Sequence, residues 1–287
     1  MSELTLETSP PTVGVQRAPR RLRVGPLLAL AFLSLVIVAA IAPQWFAHSD
    51  PLAIVPRDAF HPPGWSHWFG TDQSGRDIFS RVIHGTRQSL LIGIAATAIA
   101  MGIAIVLGLL SGLGGAQLDR GVGWLLEVLF AFPSLILALL FVAIFGSGIG
   151  PLIVATGLGA APGYARMVRG QILAVRNAGY IESARALGHA PLRIITRQLL
   201  PNAMRPLIVT LTMGVGQAIV WASALSFLGL GARPPAPEWG TMLSMGRDFI
   251  AHAWWLTFFP GLFIVLTTLS TTVAGRYLQR RLEGRLS

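Results

Sequence analysis

The residues of this chain that could do chemistry are few, and their spacing argues against catalysis. Six histidines stand at 48, 61, 67, 84, 189 and 252. No two of them make a metal-ligand pair on a helix face. His48, His61 and His67 fall in one loop, where they either converge on a metal or stay solvated and ligate nothing. Ser223 and Ser226 lie in an apolar run without a histidine or aspartate to complete a nucleophilic triad. There is no cysteine, which excludes thiolate and disulfide chemistry. Lysine is absent too, since all 22 basic residues are arginine, so no phosphate-cradling G-x-x-x-x-G-K loop exists. If ATP drives this chain, another subunit must bind it. Glu127 is the one acid close to an apolar span. It is either a buried functional carboxylate or, given its place near the span's edge, half of an interfacial ion pair.

The remaining polar residues concentrate in an arginine-rich island at 180–202, YIESARALGHAPLRIITRQLLPN, between long apolar segments. Ile181, Ala184 and Leu187 recur at helical spacing, and Glu182 sits in the first turn, where the helix dipole favours a carboxylate. Gly188 is a helix stop, and Pro191 can open a second helix at its first position. Ile194, Ile195, Gln198 and Leu199 continue that helix, and Pro201 is expected to end it. The island therefore reads as a helical hairpin whose apolar knobs, Ile181, Ala184 and Leu187, face a partner.

Glu182-Ser183-Ala184, then Gly188, then Leu200-Pro201 resembles the EAA loop of ABC-importer permeases. Ser183 replaces an alanine of that pattern, and Gln198 stands where the pattern has isoleucine. The resemblance implies that this loop docks in a groove of an ATP-hydrolysing subunit. Ile181, Glu182, Ser183, Ala184, Arg185, Leu187, Gly188, Arg193, Leu200 and Pro201 would form the coupling set. The arginines at 185, 193 and 197 would reach either acidic groups on that partner or lipid headgroups. The stretches 67–90, 164–170 and 224–247 are similar to the dipeptide/oligopeptide/nickel branch of these permeases, and the first of them to its C-type subunit. That resemblance implies a type I ABC importer permease fold with six transmembrane helices and both termini cytoplasmic. It also implies a bacterial inner-membrane location and half of a pore, without a cofactor. The partners would be two ATP-binding subunits, a second homologous permease and an extracytoplasmic solute-binding protein. The cargo would be di- or oligopeptides, nickel, glutathione or a metal-chelating opine.

The elements that must position the island read as membrane spans. Hydrophobic residues make up 53% of the chain and charged residues 12%, with mean hydropathy +0.63. That is about half the charge of an ordinary soluble domain. The net charge of +10 reflects arginines at the ends of apolar runs, which fits topology better than nucleic-acid binding. Residues 1–24 form an arm. Residues 25–85 hold a first span, at 25–47, and a loop with an amphipathic helix. Residues 86–276 form the core, with coupling loop 166–202, and 277–287 a tail. The first span has a signal peptide as its rival reading.

In the loop, Asp72 is expected to cap a membrane-surface helix from Gln73, with Ile78, Phe79, Val82 and Ile83 on one face. Asp72, Arg76 and Asp77 are expected to be a cap and surface ion pairs. Further spans are expected at 89–113, 124–145 with a kink at Pro133, 151–165 interrupted at Pro162, 207–228 and 254–274, and a short loop at 114–123. With six spans and both ends inside, 16 of the 22 arginines fall in inner segments, as the positive-inside rule requires. The rival functions are an ATP-independent secondary transporter or channel and an intramembrane enzyme. The first needs carboxylates deep in the spans, and the second needs a catalytic set.

Overall fold

The computed structural model describes residues 24–131 and 133–282. The arm and the end of the tail, including Arg285, lie outside the described residues. Helices follow one another as α1 (Val24–Ile41), α2 (Ile78–Leu113), α3 (Gly115–Ala131), α4 (Ser134–Phe145), α5 (Ile149–Arg176), α6 (Gly179–Ala186), α7 (Pro191–Ile194), α8 (Leu200–Phe227), α9 (Trp239–Gly246) and α10 (Trp255–Leu282). No strand is named among the described residues. In lipid the backbone must satisfy its own hydrogen bonds, and a helix does so within one segment. Among the described residues four helices are long and apolar enough to cross a membrane, or five if the bent pair α3–α4 counts as one. Helix α5 is not among them, because its glycines, prolines and arginines dilute its apolar content.

Several expected boundaries move. The surface helix and the second span are one 36-residue helix, α2. Its cap is Asp77, whose carboxylate accepts from Ser80 N at 2.8 Å, not Asp72. The loop at 114–123 is instead the start of α3, entered through Gly115 at φ +83°. Pro133 stands at a break sharper than a kink. It caps α4, and α3 and α4 meet at 87°. Pro162 lies buried inside an unbroken α5 and does not interrupt it. Pro201 does not end a helix either. A π-helical turn, Ile195–Leu199, joins α7 to α8, and Leu200 N bonds back to Ile195 O. The shift in bonding register places Pro201 at the first turn of α8, where a missing N–H costs little.

The ion pairs expected on the surface near residue 72 are buried. Asp72 is 4% exposed and Arg81 1%. Asp72 accepts from Ser74 N at 2.8 Å, Arg76 N at 3.0 Å and Arg76 Nε at 2.6 Å, with Arg81 Nε 4.0 Å away. Arg81 also donates to Pro51 O and Pro235 O, at 3.2 and 3.1 Å. Glu238 caps α9 and accepts from Gly240 N and Thr241 N, both at 2.8 Å. Trp239, fully buried, donates from Nε1 to Val82 O at 2.9 Å. These bonds fasten both long loops to the first turns of α2, the end of the bundle opposite the 177–199 hairpin. Replacing Asp72 by Ala would leave two buried guanidinium groups without their anion. We expect a loss of about 3–5 kcal/mol, read as a lowered thermal midpoint of the detergent-solubilised chain.

Candidate functional site

The hairpin is built by its glycines and prolines. Helix α5 ends at Arg176, and α6 begins three residues later, at Gly179, with Glu182 in its first turn. Gly188 adopts φ +74°, a left-handed conformation that glycine takes without steric cost. The turn is closed by His189 N donating to Ala184 O at 3.2 Å and Gly188 N donating to Arg185 O at 3.0 Å. Pro191 then opens α7 at its first position, as its fixed φ favours.

Burial divides the hairpin into a base and a tip. Ile181, at 0% exposure, and Ala184 point inward, not toward a partner. They share one apolar cluster with Ile194, Leu199 and residues of the bundle: Met101 and Ala104 on α2, Val122 and Leu126 on α3, and Val168 and Ile172 on α5. Helical spacing grouped Ile181 and Ala184 correctly, but the face they share is the one the bundle covers. The most exposed apolar groups are at the tip, Leu187 at 75%, just past the end of α6, and Leu192 at 72%, while Tyr180 is about half exposed at the start of α6. Leu192 was not singled out from sequence. Its signal was a lone leucine between Pro191 and Arg193, with no place in an apolar stripe. Around these two, Glu182, Ser183, Arg185, Gly188, Arg193 and Arg197 are exposed, as is Pro201, while Leu200 is half-buried. Among the described residues none of Glu182, Arg185, Arg193 and Arg197 is in an ion pair. The tip thus offers two leucines ringed by basic side chains, on a base that cannot move without disturbing the bundle.

A polar clamp sits just beside the base. Arg169 of α5 donates from Nε to Asp119 Oδ1 at 2.6 Å and from a terminal nitrogen to Oδ2 at 2.8 Å, a bidentate pair with α3. Ser111 of α2 touches both partners, and Arg176 donates to Gly112 O at 2.8 Å. Gln198, the departure from the isoleucine of the resembled pattern, has a buried Oε1 with no hydrogen-bond partner among the described residues.

The other candidate groups do not assemble a reactive centre among the described residues. His61 and His67 approach, with ring centroids 5.5 Å apart, and His67 Nδ1 is 3.0 Å from Asp77 Oδ1. No group of three or more potential ligands is arranged to hold a metal. Ser223 and Ser226 are buried in α8. Glu127 is exposed on α3, which does not fit a buried functional carboxylate, and it is in no ion pair among the described residues.

A family model described as binding-protein-dependent transport system inner membrane component matches residues 104–284. The chain is similar to the di/tripeptide transport system permease protein DppC of Pseudomonas aeruginosa, 39% identical over 268 residues, 91% of this chain and 88% of that one. It is also similar to the glutathione transport system permease protein GsiD of Pectobacterium atrosepticum, 40% identical over 89% of this chain and 85% of that one. Among solved structures it shares a fold with a chain of the MetNI methionine ABC transporter in an inward-facing conformation. The TM-score is 0.58 at 22% identity, covering 69% of this chain and 95% of that one. An amino acid ABC transporter with histidines gives a TM-score of 0.55 at 19% identity, covering 71% and 94%.

Base and tip should respond differently to truncation. Ile181→Ala is expected to cost about 2–5 kcal/mol through the cavity it leaves, and Leu187→Ala less than about 0.5 kcal/mol. Gln198→Leu removes an unpaired buried oxygen and is expected to stabilise by about 1 kcal/mol. Thermal midpoints of the three purified variants check this ordering.

Proposed function

We propose that this chain, which belongs to the family of binding-protein-dependent transport system inner membrane components, is the translocation subunit of an ATP-binding-cassette importer. Its cargo is peptides or related small solutes such as glutathione, a reading supported by the similarity to permeases named for those solutes. The chain contributes half of the path. A second, homologous permease contributes the other half, two ATP-binding subunits supply the energy, and an extracytoplasmic binding protein delivers the solute. Six spans, namely α1, α2, the α3–α4 pair, α5, α8 and α10, cross a bacterial inner membrane, with both termini on the hairpin's side. The chain itself is not an enzyme.

The observation that carries this reading is the division of the hairpin into a buried base and a bare tip. Moving a transport path between two arrangements requires a ligand that prefers one of them. Reversing a 99:1 preference takes about 5.5 kcal/mol of differential binding. A nucleotide-bound partner gripping Leu187 and Leu192 could deliver that energy, because Ile181, Ala184, Ile194 and Leu199 transmit the push to α2, α3 and α5. Glu182, Ser183, Arg185, Gly188 and Arg193 orient the contact, and Leu200 and Pro201 begin the helix that carries it onward. A transporter working without ATP would need ionisable groups within its spans. The buried Asp72, in the loop before α2, and Glu238, the cap of α9, are instead held by several hydrogen bonds each.

Replacing Leu187 and Leu192 together by Asp puts two carboxylates on the tip without touching the core. The expected result is loss of ATPase copurification and at least a tenfold fall in dipeptide uptake by cells, about 1.4 kcal/mol or more of coupling, at unchanged protein level. Gly188→Val, which forces a β-branched residue into the left-handed region, should have the same effect. Normal uptake by both variants would remove the coupling role.

A further inference from the structure

A cavity of about 220 Å³ lies between the chain leaving α1 and the first turn of α2, at the end of the bundle opposite the hairpin. That is below the roughly 300–1,000 Å³ of a whole-ligand pocket and suits a group of a few heavy atoms. Asp77 is the one carboxylate in its lining, and no arginine lines it. Asp77 Oδ2 accepts from Ser80 N at 2.8 Å, and Oδ1 is 3.0 Å from His67 Nδ1. A carboxylate has about four acceptor sites, so some stay free on a side chain that is 14% exposed. Asp72, five residues earlier, is by contrast paired with Arg76 and Arg81. The imidazole of His67 also lies 4.0 Å from Asp58, so two carboxylates share one histidine. Beside Asp77, Trp68 and Phe79 line the cavity and meet edge to face, with ring centroids 4.9 Å apart. The floor is apolar: Phe46 and Phe79 pack with Ala39, Ala47 and Ile83 where α1 and α2 come together. Helix α1 lies on the outside of the bundle, with only Ala29, Val36 and Ala39 buried. Ile41 at its end, Trp45 just beyond and Trp68 are 75%, 72% and 62% exposed. Tryptophans at the end of an apolar span mark the level of lipid headgroups.

We infer that this cavity is a phospholipid headgroup site for a primary ammonium group, as in phosphatidylethanolamine, with Asp77 as its counter-ion and Trp68 as its aromatic face. An ammonium group brings three donors to the free acceptor sites of Asp77. A cation over a tryptophan ring is attracted by the ring's negative face. His48, Ser49 and Ser66, all exposed, are in the same lining and carry donors for the phosphate. The acyl chains then lie along the bare side of α1. A phosphatidylglycerol headgroup has no cation to offer, and its phosphate would face Asp77 with no arginine between them. The amino terminus of a peptide carries the same ammonium chemistry. The cavity sits beside the outermost helix, however, where lipid and not the helix bundle is the neighbour. The inference does not depend on the importer reading.

The purified full-length chain in detergent is titrated with dihexanoyl phosphatidylethanolamine, dihexanoyl phosphatidylglycerol or the dipeptide glycylalanine, and its thermal midpoint is followed. A ligand that binds only the folded chain raises the midpoint with concentration, which yields an apparent affinity. The expected result is a saturable rise with phosphatidylethanolamine, at an affinity about fivefold or more above that for phosphatidylglycerol. Glycylalanine at the same concentration should give no rise. Asp77→Asn keeps an acceptor to cap α2 and removes the charge, so it should bring the two phospholipids to equal affinity. Trp68→Leu changes an exposed side chain and should weaken phosphatidylethanolamine by about two- to fivefold, the worth of one cation–aromatic contact, with the midpoint in plain detergent little changed. Because each variant is read as a difference between ligands, a shift in its own midpoint does not blur the outcome. Equal affinity for both phospholipids in the unaltered chain, or a preference that survives both substitutions, would overturn the site. A rise with glycylalanine matching that with phosphatidylethanolamine would overturn the lipid as its occupant.

Discussion

The close approach of α2 to α5 is the constraint on which the rest of the molecule depends. Lipid is as apolar as leucine, so helices in a membrane associate through packing and hydrogen bonds, and small residues let their backbones meet. A Cβ at Gly108 would lie 2.5 Å from Val168 Cγ1, and one at Gly112 would lie 2.3 Å from Ile172 Cγ2. Farther along, Gly157 returns the relation, with Ile99 of α2 seated where its own Cβ would be. Contact at this range fixes the angle and height of α5. The hairpin's first helix begins three residues after α5 ends, and its base fills the same cluster as Val168 and Ile172. The position of the tip is therefore set by glycines sixty or more residues earlier in the chain.

The two ends of the bundle are held by different physics. At the α9 end, Asp72, Arg76, Arg81 and Glu238 are buried and richly hydrogen-bonded. Breaking such a network strands charges in a low dielectric and costs several kcal/mol. At the hairpin end the main tie is apolar contact, supplemented by an Arg169–Asp119 pair that is about one-third exposed. Solvated pairs of that kind contribute about 1 kcal/mol or less. Apolar clusters can repack with little loss if volume is conserved. Rearrangement is thus cheaper at the hairpin end than at the capped end.

The helices that carry the hairpin, α5 and α8, also line a cavity of about 410 Å³ that they share with α2 and α4. Thr156 and Tyr164 are on α5, and Gln217 and Trp221 on α8. Helix α5 enters the hairpin and α8 leaves it through the π-helical turn. A displacement of the tip would reach α5 through the short turn at 177–178 and α8 through the π-helical turn.

Much of this was legible in the residues themselves. The apolar runs required membrane helices, the missing lysine and cysteine removed whole classes of chemistry, and Gly188 with Pro191 marked the turn to the residue. The pattern around Glu182, Gly188 and Pro201 placed the hairpin, and the relatives agree on the family. Periodicity, however, tells which residues share a face and not what covers that face. Ile181 and Ala184 therefore pointed the opposite way from the one expected. The ties that decide the rest join residues far apart in the chain: Arg169 to Asp119 across 50 positions, and Arg81 to Pro235 across 154. Such pairs leave no local trace, nor does a hydroxyl like that of Thr156, buried where helices meet and unpaired among the described residues. Sequence determined the elements and their turns, because those follow from neighbouring residues. Tertiary structure decided faces, clamps and the cavity, because those exist only once distant helices are in contact.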